Sequence, residues 1–351
     1  MKVLKFGGTS VGSAQRMKEV AKLITDGERK IVVLSAMSGT TNTLVEISDY
    51  LYKKNPEGAN EIINKLESKY RQHIDELFAT PEYKQKGLEL IKSHFDYIRS
   101  YTKDLFTLFE EKVVLAQGEL ISTAMMNYYL QECGVKSVLL PALEYMRTDK
   151  NAEPDPVYIK DKLQVQLELH PDAEIYITQG YICRNAYGEI DNLQRGGSDY
   201  TASLIGAAIN ASEIQIWTDI DGMHNNDPRI VDKTAPVRHL HFEEAAELAY
   251  FGAKILHPTC IQPAKYANIP VRLLNTMDPT APGTLISNDT EKGKIKAVAA
   301  KDNITAIKIK SSRMLLAHGF LRKVFEIFES YQTSIDMICT SEVGVSVDRK
   351  S

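Results

Sequence analysis

The sequence predicts an α/β protein, a three-layer α/β/α sandwich around a mainly parallel sheet. Three observations predict it. Residues 31–34, 138–140, 175–177, 214–217 and 271–274 are short apolar runs rich in β-branched side chains. They do not alternate polar with apolar, so their strands must be covered on both faces, as in parallel sheets. Helical patterns such as 14–24 and 200–211 lie between them, and such alternation gives helices on both sides of one sheet. The third observation is a strand that runs straight into a glycine turn and a helix at the start of the chain.

That first element is Val3 to Phe6, followed by Gly7-Gly8-Thr9-Ser10. Glycine permits φ > 0 and lets several backbone N–H groups approach one anion. Lys5 adds a compact positive charge just before the turn. The group suits a nucleotide phosphate, although an ordinary strand–turn–helix corner fits these six residues as well. It is neither a Walker A loop nor a G-x-G-x-x-G fingerprint.

The strand at 31–34 leads into Ser35-Ala36-Met37-Ser38-Gly39-Thr40-Thr41-Asn42, whose hydroxyls could hold a small polar ligand or simply start a helix. Residues 57–110 then break the alternation. Ile62, Ile63, Leu66, Tyr70, Ile74 and Leu77 follow helical spacing, as do Leu88, Ile91, Phe95, Ile98, Leu105 and Phe109. This predicts an inserted helical hairpin broken near Thr80-Pro81, its charges facing solvent. Gly118-Glu119 is expected at the head of a helix over 120–130, where a carboxylate commonly offsets the helix dipole. Met125 and Met126 read as core.

Gln194-Arg195-Gly196-Gly197-Ser198-Asp199 is a second glycine turn before a helix. Helix N-termini attract anions, and Arg195 offers a two-pronged donor for carboxylate or phosphate. Asp199 could instead cap the helix. Two such turns in one chain favour ligand binding. Thr218-Asp219-Ile220-Asp221-Gly222 follows the strand at 214–217, where open α/β sheets bind ligands. Asn226-Asp227-Pro228-Arg229 comes next, and Gly252-Ala253-Lys254-Ile255-Leu256-His257-Pro258 brings a further lysine.

A polar stretch at 287–294 reads as a linker, giving a first domain over 1–294 and a second over 295–351. The tail reads strand 304–310, helix 320–331, strand 334–339, strand 343–347. That βαββ series is an unclosed α+β module with an exposed edge, expected of a truncated chain.

Composition excludes several classes. The 351 residues carry a net charge of −4, giving no general attraction to nucleic acid or anionic membrane. No run approaches a membrane span, and the start enters a strand without a signal peptide. Cys133, Cys183, Cys260 and Cys339 are far apart and read as reduced, mostly buried thiols of a cytoplasmic protein. His239-x-His241 is the nearest approach to metal-ligand spacing, and no metal is expected on protein ligands alone.

Taken in order, Lys5-Phe6-Gly7-Gly8-Thr9-Ser10, Gly118-Glu119, Arg195-Gly196-Gly197-Ser198-Asp199, Thr218-Asp219-Ile220-Asp221-Gly222, Asp227-Pro228-Arg229 and the run 252–258 resemble the aspartate kinases of the amino acid kinase superfamily. The resemblance covers residues 1 to about 294, and the tail is similar to that family's ACT regulatory domain. It implies Mg2+-ATP-dependent phosphorylation of the L-aspartate β-carboxylate, the step that commits aspartate toward lysine, threonine and methionine. By the same resemblance Lys5 and Asp199 are catalytic. Ser35, Thr41, Glu119 and Arg195 bind aspartate, with Arg195 on the α-carboxylate and Glu119 on the α-ammonium. Gly7, Gly8, Ser198, Thr218, Asp219, His224, Arg229 and Lys254 join Lys5 around ATP. His224 stands where the family often has a tyrosine near the base. Met314, Phe320, Leu321, Ser334, Asp336 and Thr340 match its effector-contact pattern, with lysine or threonine as the effector. A homodimer is expected. Two other readings stay open at this level: a relative acting on glutamate, acetylglutamate or a nucleotide, and an inactive amino-acid sensor.

Overall fold

A computed structural model describes the chain except residues 104, 194–195, 228–229, 252–255, 290–292, 294, 301, 312–317, 342–343 and 351. Arg195, Arg229, Lys254 and Met314 therefore lie outside the described residues. The chain divides into two compact units, Met1–Val298 and Ala299–Ser351.

In the first unit the strands are β1 (Lys2–Phe6), β2 (Lys30–Leu34), β3 (Ser137–Leu140), β4 (Ile175–Gln179), β5 (Ile182–Arg184), β6 (Ile190–Asn192), β7 (Ile214–Thr218), β8 (His239–His241), β9 (Val271–Asn275) and β10 (Thr284–Ser287). Among the described residues the main sheet runs β3-β4-β2-β1-β7-β9-β10-β8. All its pairings are parallel except β9 with β10. Each of the five predicted runs is a strand of this sheet. Alternate side chains go to opposite faces: Leu4 and Phe6 join one apolar core, Val3 the other. Both faces are covered, which is why the runs are apolar without alternation.

The helices are α1 (Ala14–Ile24), α2 (Thr40–Tyr52), α3 (Pro56–Leu77), α4 (Pro81–Ser100), α5 (Leu108–Glu132), α6 (Ala142–Tyr145), α7 (Pro156–Leu169), α8 (Gly197–Ile209), α9 (Phe242–Phe251) and α10 (Gln262–Tyr266). The inserted hairpin is α3 and α4. Asn55 accepts from the Gly58 amide and Pro56 opens α3, which needs no amide there. Between the helices, Glu132 accepts from the Ala79 and Thr80 amides. Ile63, Tyr70 and Ile74 of α3 and Ile91, Phe95 and Ile98 of α4 share one core.

The structure corrects three expectations here. The hairpin ends at Ser100, Leu105 is 75% exposed outside any helix, and Phe109 belongs to α5. Glu119 does not head a helix: Thr107 and Glu110 form a capping box that starts α5 well upstream. None of the four cysteines is in a disulfide, but only Cys183 and Cys260 are buried. Cys133 caps the carboxyl end of α5, and Cys339 lies on a strand exposed throughout. Met125 and Met126 are fully buried, as expected. Among the described residues no helix is long and apolar enough to cross a membrane.

The second unit contains β11 (Ile304–Lys310), α11 (Phe320–Ser330), β12 (Met337–Ser341) and β13 (Gly344–Lys350). Its antiparallel sheet runs β11-β13-β12, and Val324 packs with Val345 and Val347 beneath α11. The βαββ order matches the sequence reading, with β12 starting three residues later than expected.

Candidate functional site

Strand β1 is central, with β2 hydrogen-bonded on one side and β7 on the other. The chain goes from β1 to β2 and only later returns to β7, so the sheet reverses direction of winding at this point. Ligand crevices in open α/β sheets form there, beyond the carboxyl ends of the strands. The ends of β4, β2, β1 and β7 are followed by Gly180, Ser35, Gly7 and Asp219, which gathers the glycine and hydroxyl motifs along one edge.

Between these ends lies a cavity of about 400 Å³, lined by residues that include Gly8, Ser35, Thr41, Glu119, Tyr181 and Ser198. Ser35 Oγ donates to Ser198 Oγ at 2.9 Å, tying the β2 end to the start of α8. Lys5 Nζ lies 2.7 Å from Asp199 Oδ1, and both side chains are largely buried. The pair is close but not aligned as a hydrogen bond, so its attraction is mainly ionic. Asp199 lies in the first turn of α8, and the capping position belongs to Gly196 instead. Carboxylate and ammonium thus meet beside two glycine turns.

Glu119 is the buried acid of the cavity. Gly118 lets α5 pass close to the loop after β2: a Cβ there would lie 2.7 Å from Ala36 Cβ. Glu119 Oε1 accepts from the Ala36 amide at 3.1 Å. Oε2 is buried with no hydrogen-bond partner among the described residues. Burial pushes the carboxyl up to about 7, against the opposing effect of the Ala36 amide. A buried carboxylate with spare acceptor capacity, on a residue that lines the cavity, fits a cationic ligand group.

Thr218 and Asp219 follow at the β7 end but do not line that cavity. Thr218 Oγ1 and the Ile220 backbone bond each other, and Asp219 is exposed. His224 has both ring nitrogens engaged, Nε2 with Asp221 at 2.6 Å and Nδ1 with Thr234 at 2.8 Å. Of the expected effector residues, Phe320 lines an apolar groove beside α11, while Thr340 lines a separate small cavity against β11 and β13. Leu321 and Ser334 are exposed, and the Asp336 amide donates to Asp348 O.

Sequence reading missed Tyr181. Its φ of +71° is uncommon for an aromatic residue, and it lines the cavity because Gly197 packs directly against it. Its place just after a strand end was the available signal. Cys260 lies beside Gly196, but burial pushes its thiol up to about 12, so it offers no nucleophile at neutral pH. Gly196 itself has φ +78°, and an added Cβ would overlap Cys260 Sγ and lie 3.1 Å from His257 Cβ. Gly196→Ala is expected to cost about 2–4 kcal/mol. Denaturant unfolding checks this, and an unchanged midpoint would contradict it.

The amino acid kinase family model matches residues 1–275. Chloroplastic aspartokinase 1 of Arabidopsis thaliana is 38% identical over 357 residues, covering 98% of this chain and 62% of that protein. Lysine-sensitive aspartokinase 3 of Escherichia coli is 35% identical over 350 residues, covering 98% of this chain and 77% of that one. The crystal structure of E. coli aspartokinase III with aspartate and ADP superposes with a TM-score of 0.84 at 33% identity, over all of this chain and 79% of that one. The chain belongs to the amino acid kinase family. Within it, the similarity that runs nearly end to end is to aspartokinases. The chain spans 62% to 65% of the length of the three Arabidopsis aspartokinases it matches.

Proposed function

We propose that this chain is an aspartate kinase, moving the γ-phosphoryl group of ATP to the β-carboxylate of L-aspartate to give 4-phospho-L-aspartate and ADP. The observation that carries the reading is Glu119, which lines the cavity and keeps one buried oxygen without a hydrogen-bond partner among the described residues, as suits an α-ammonium. Ser35 and Thr41 line the same cavity, and Arg195 would grip the α-carboxylate.

A carboxylate is already a nucleophile, so the step needs no general base. One of its oxygens attacks the γ-phosphorus in line, and the bond to the ADP oxygen breaks. What remains for the protein is positioning and charge neutralisation. Lys5 and the Gly7-Gly8 turn would receive the transferring phosphoryl group, the Gly8 amide rather than the Gly7 amide donating because the latter is held by Trp217 O, and Asp199 would orient the Lys5 ammonium. Ser198 would touch the phosphates, and Thr218, Asp219, Arg229 and Lys254 would hold the nucleotide. Among the described residues no group of three or more His, Cys, Asp or Glu side chains could cage a metal. Mg2+ would come bound to the ATP phosphates and would supply charge neutralisation there.

Residues 299–351 are proposed as an ACT-type sensor in a homodimer. The E. coli relative is a lysine-sensitive aspartokinase, which favours lysine over threonine as effector. Four cysteines outside any disulfide suit a reducing, cytoplasmic setting.

The test is ADP release with aspartate, glutamate or acetylglutamate as acceptor. Aspartate should exceed glutamate by about 10- to 200-fold, the usual value of one methylene. Absence of aspartate-dependent turnover would sink the proposal. Titrating lysine and threonine separately into the same assay tests the sensor, and inhibition by neither removes it.

A further inference from the structure

The inserted hairpin reaches the segment that walls the amino-acid cavity. Lys69 of α3, exposed on its own helix, donates from Nζ to Ser38 O at 3.1 Å. The next residue, Tyr70, is fully buried, and its hydroxyl bonds Thr40 Oγ1 at 3.0 Å. Ser38 and Thr40 flank Gly39, which has φ +82°, and Thr41 follows in the cavity wall. The loop 36–41 is therefore held from several sides. Glu119 takes the Ala36 amide, Gly8 O takes the Ser38 amide at 3.1 Å, Lys69 takes the Ser38 carbonyl, and Tyr70 takes Thr40.

We propose that Lys69 and Tyr70 are positioning residues for the amino-acid pocket, so that the helical insertion tunes acceptor binding. The inference rests on the aspartate kinase reading. The physical reason is the loop itself. Gly39 lacks a Cβ and carries the left-handed bend, so glycine freedom must be lost when the loop is fixed. A charged donor on the Ser38 carbonyl and a buried hydroxyl on Thr40 supply that order in advance, and preorganisation appears as tighter binding. The glycine turn after β1 touches this loop through Gly8 O on the Ser38 amide, but it has anchors of its own. The Gly7 amide donates to Trp217 O, and the Ser10 hydroxyl bonds Thr276 Oγ1. Hence the acceptor side should respond more strongly than the phosphoryl side.

The experiment measures kcat and both KM values for the parent chain and for Lys69→Met, Lys69→Arg and Tyr70→Phe, each checked for an unchanged circular dichroism spectrum. Lys69→Met keeps the aliphatic stem and should raise KM for aspartate about threefold to tenfold. KM for ATP and kcat should stay within about twofold. Lys69→Arg keeps the charged donor and should return KM for aspartate close to the parent value. Tyr70→Phe should raise KM for aspartate about threefold. A parent with no aspartate-dependent turnover overturns the functional reading and this inference with it. A working parent with Lys69→Met and Tyr70→Phe both unchanged overturns the inference alone. So does a Lys69→Met effect that vanishes at high salt while Tyr70→Phe is silent, because the lysine would then act only by long-range attraction.

Discussion

Replacing Lys5 with methionine should lower kcat by about 10²–10³, the loss of roughly 3–4 kcal/mol typical of removing one group that stabilises developing charge. The lysine sits at the end of the central strand, its ammonium 2.7 Å from Asp199 and next to the glycine turn. From sequence alone, a lysine at a strand end looks dispensable to the fold. The structure gives a different expectation, because Asp199 is largely buried and Lys5 neutralises it. Breaking a buried pair from one side costs about 3–5 kcal/mol by leaving an uncompensated charge. The single variant should therefore lose stability as well as rate. Adding Asp199→Asn removes the stranded charge, and the double variant should regain most of the stability while staying catalytically poor. Unfolding midpoints beside kcat separate the two effects. A stable Lys5→Met variant with near-parental kcat would falsify the catalytic role.

The sheet was legible because it is covered on both sides. Residues 31–34 and 175–177 are apolar at every position for that reason, and the strands stand where the runs are. Helix α1 was readable from spacing, and Ser13 accepts from the Arg16 amide at its start. The Gly7-Gly8 and Gly196-Gly197 turns were legible from their glycines, but the expected positive φ occurs only at Gly196, at +78°; Gly8 and Gly197 are needed because a Cβ would crowd Ala36 O and Tyr181. Glu119 was visible as a residue but not in its setting. Its burial comes from Gly118 packing on Ala36 and Thr40, residues far away in sequence. The reach of Lys69 and Tyr70 to the loop 36–41 was hidden for the same reason: one amphipathic stripe supplies both a core residue and a pocket contact. His224 could be named from its motif, but its bonds to Asp221 and Thr234 depend on a turn that no local pattern specifies.

Glu119 should make both stability and acceptor binding depend on pH near neutrality. Its folded-state value is raised, from 4.5 to about 7, with burial as the main cause. The empty folded protein therefore holds this proton more tightly than the unfolded chain does. The resulting stability is fully present below pH 4.5 and is lost as pH rises through about 7, on the order of 3 kcal/mol in total. Binding has the opposite slope. An α-ammonium needs the carboxylate, so aspartate affinity should rise with pH up to about 7 and then level off, with a proton released on binding below that point. The neighbouring hydroxyls do not confuse the signal. Tyr181 is itself pushed up to about 12, mainly by burial, and Tyr70 is raised further for the same reason. Glu119→Gln keeps the shape, removes the titration and leaves the ammonium without a counter-charge. Its affinity for aspartate should fall roughly 10²–10³-fold, as for other buried charge pairs broken from one side. Calorimetry in buffers of different ionisation enthalpy reads the proton release directly, and melting between pH 5 and 8 reads the stability slope. If Glu119→Gln kept the parent's pH slope in both measurements, another group would be titrating and Glu119 would lose its place on the ammonium.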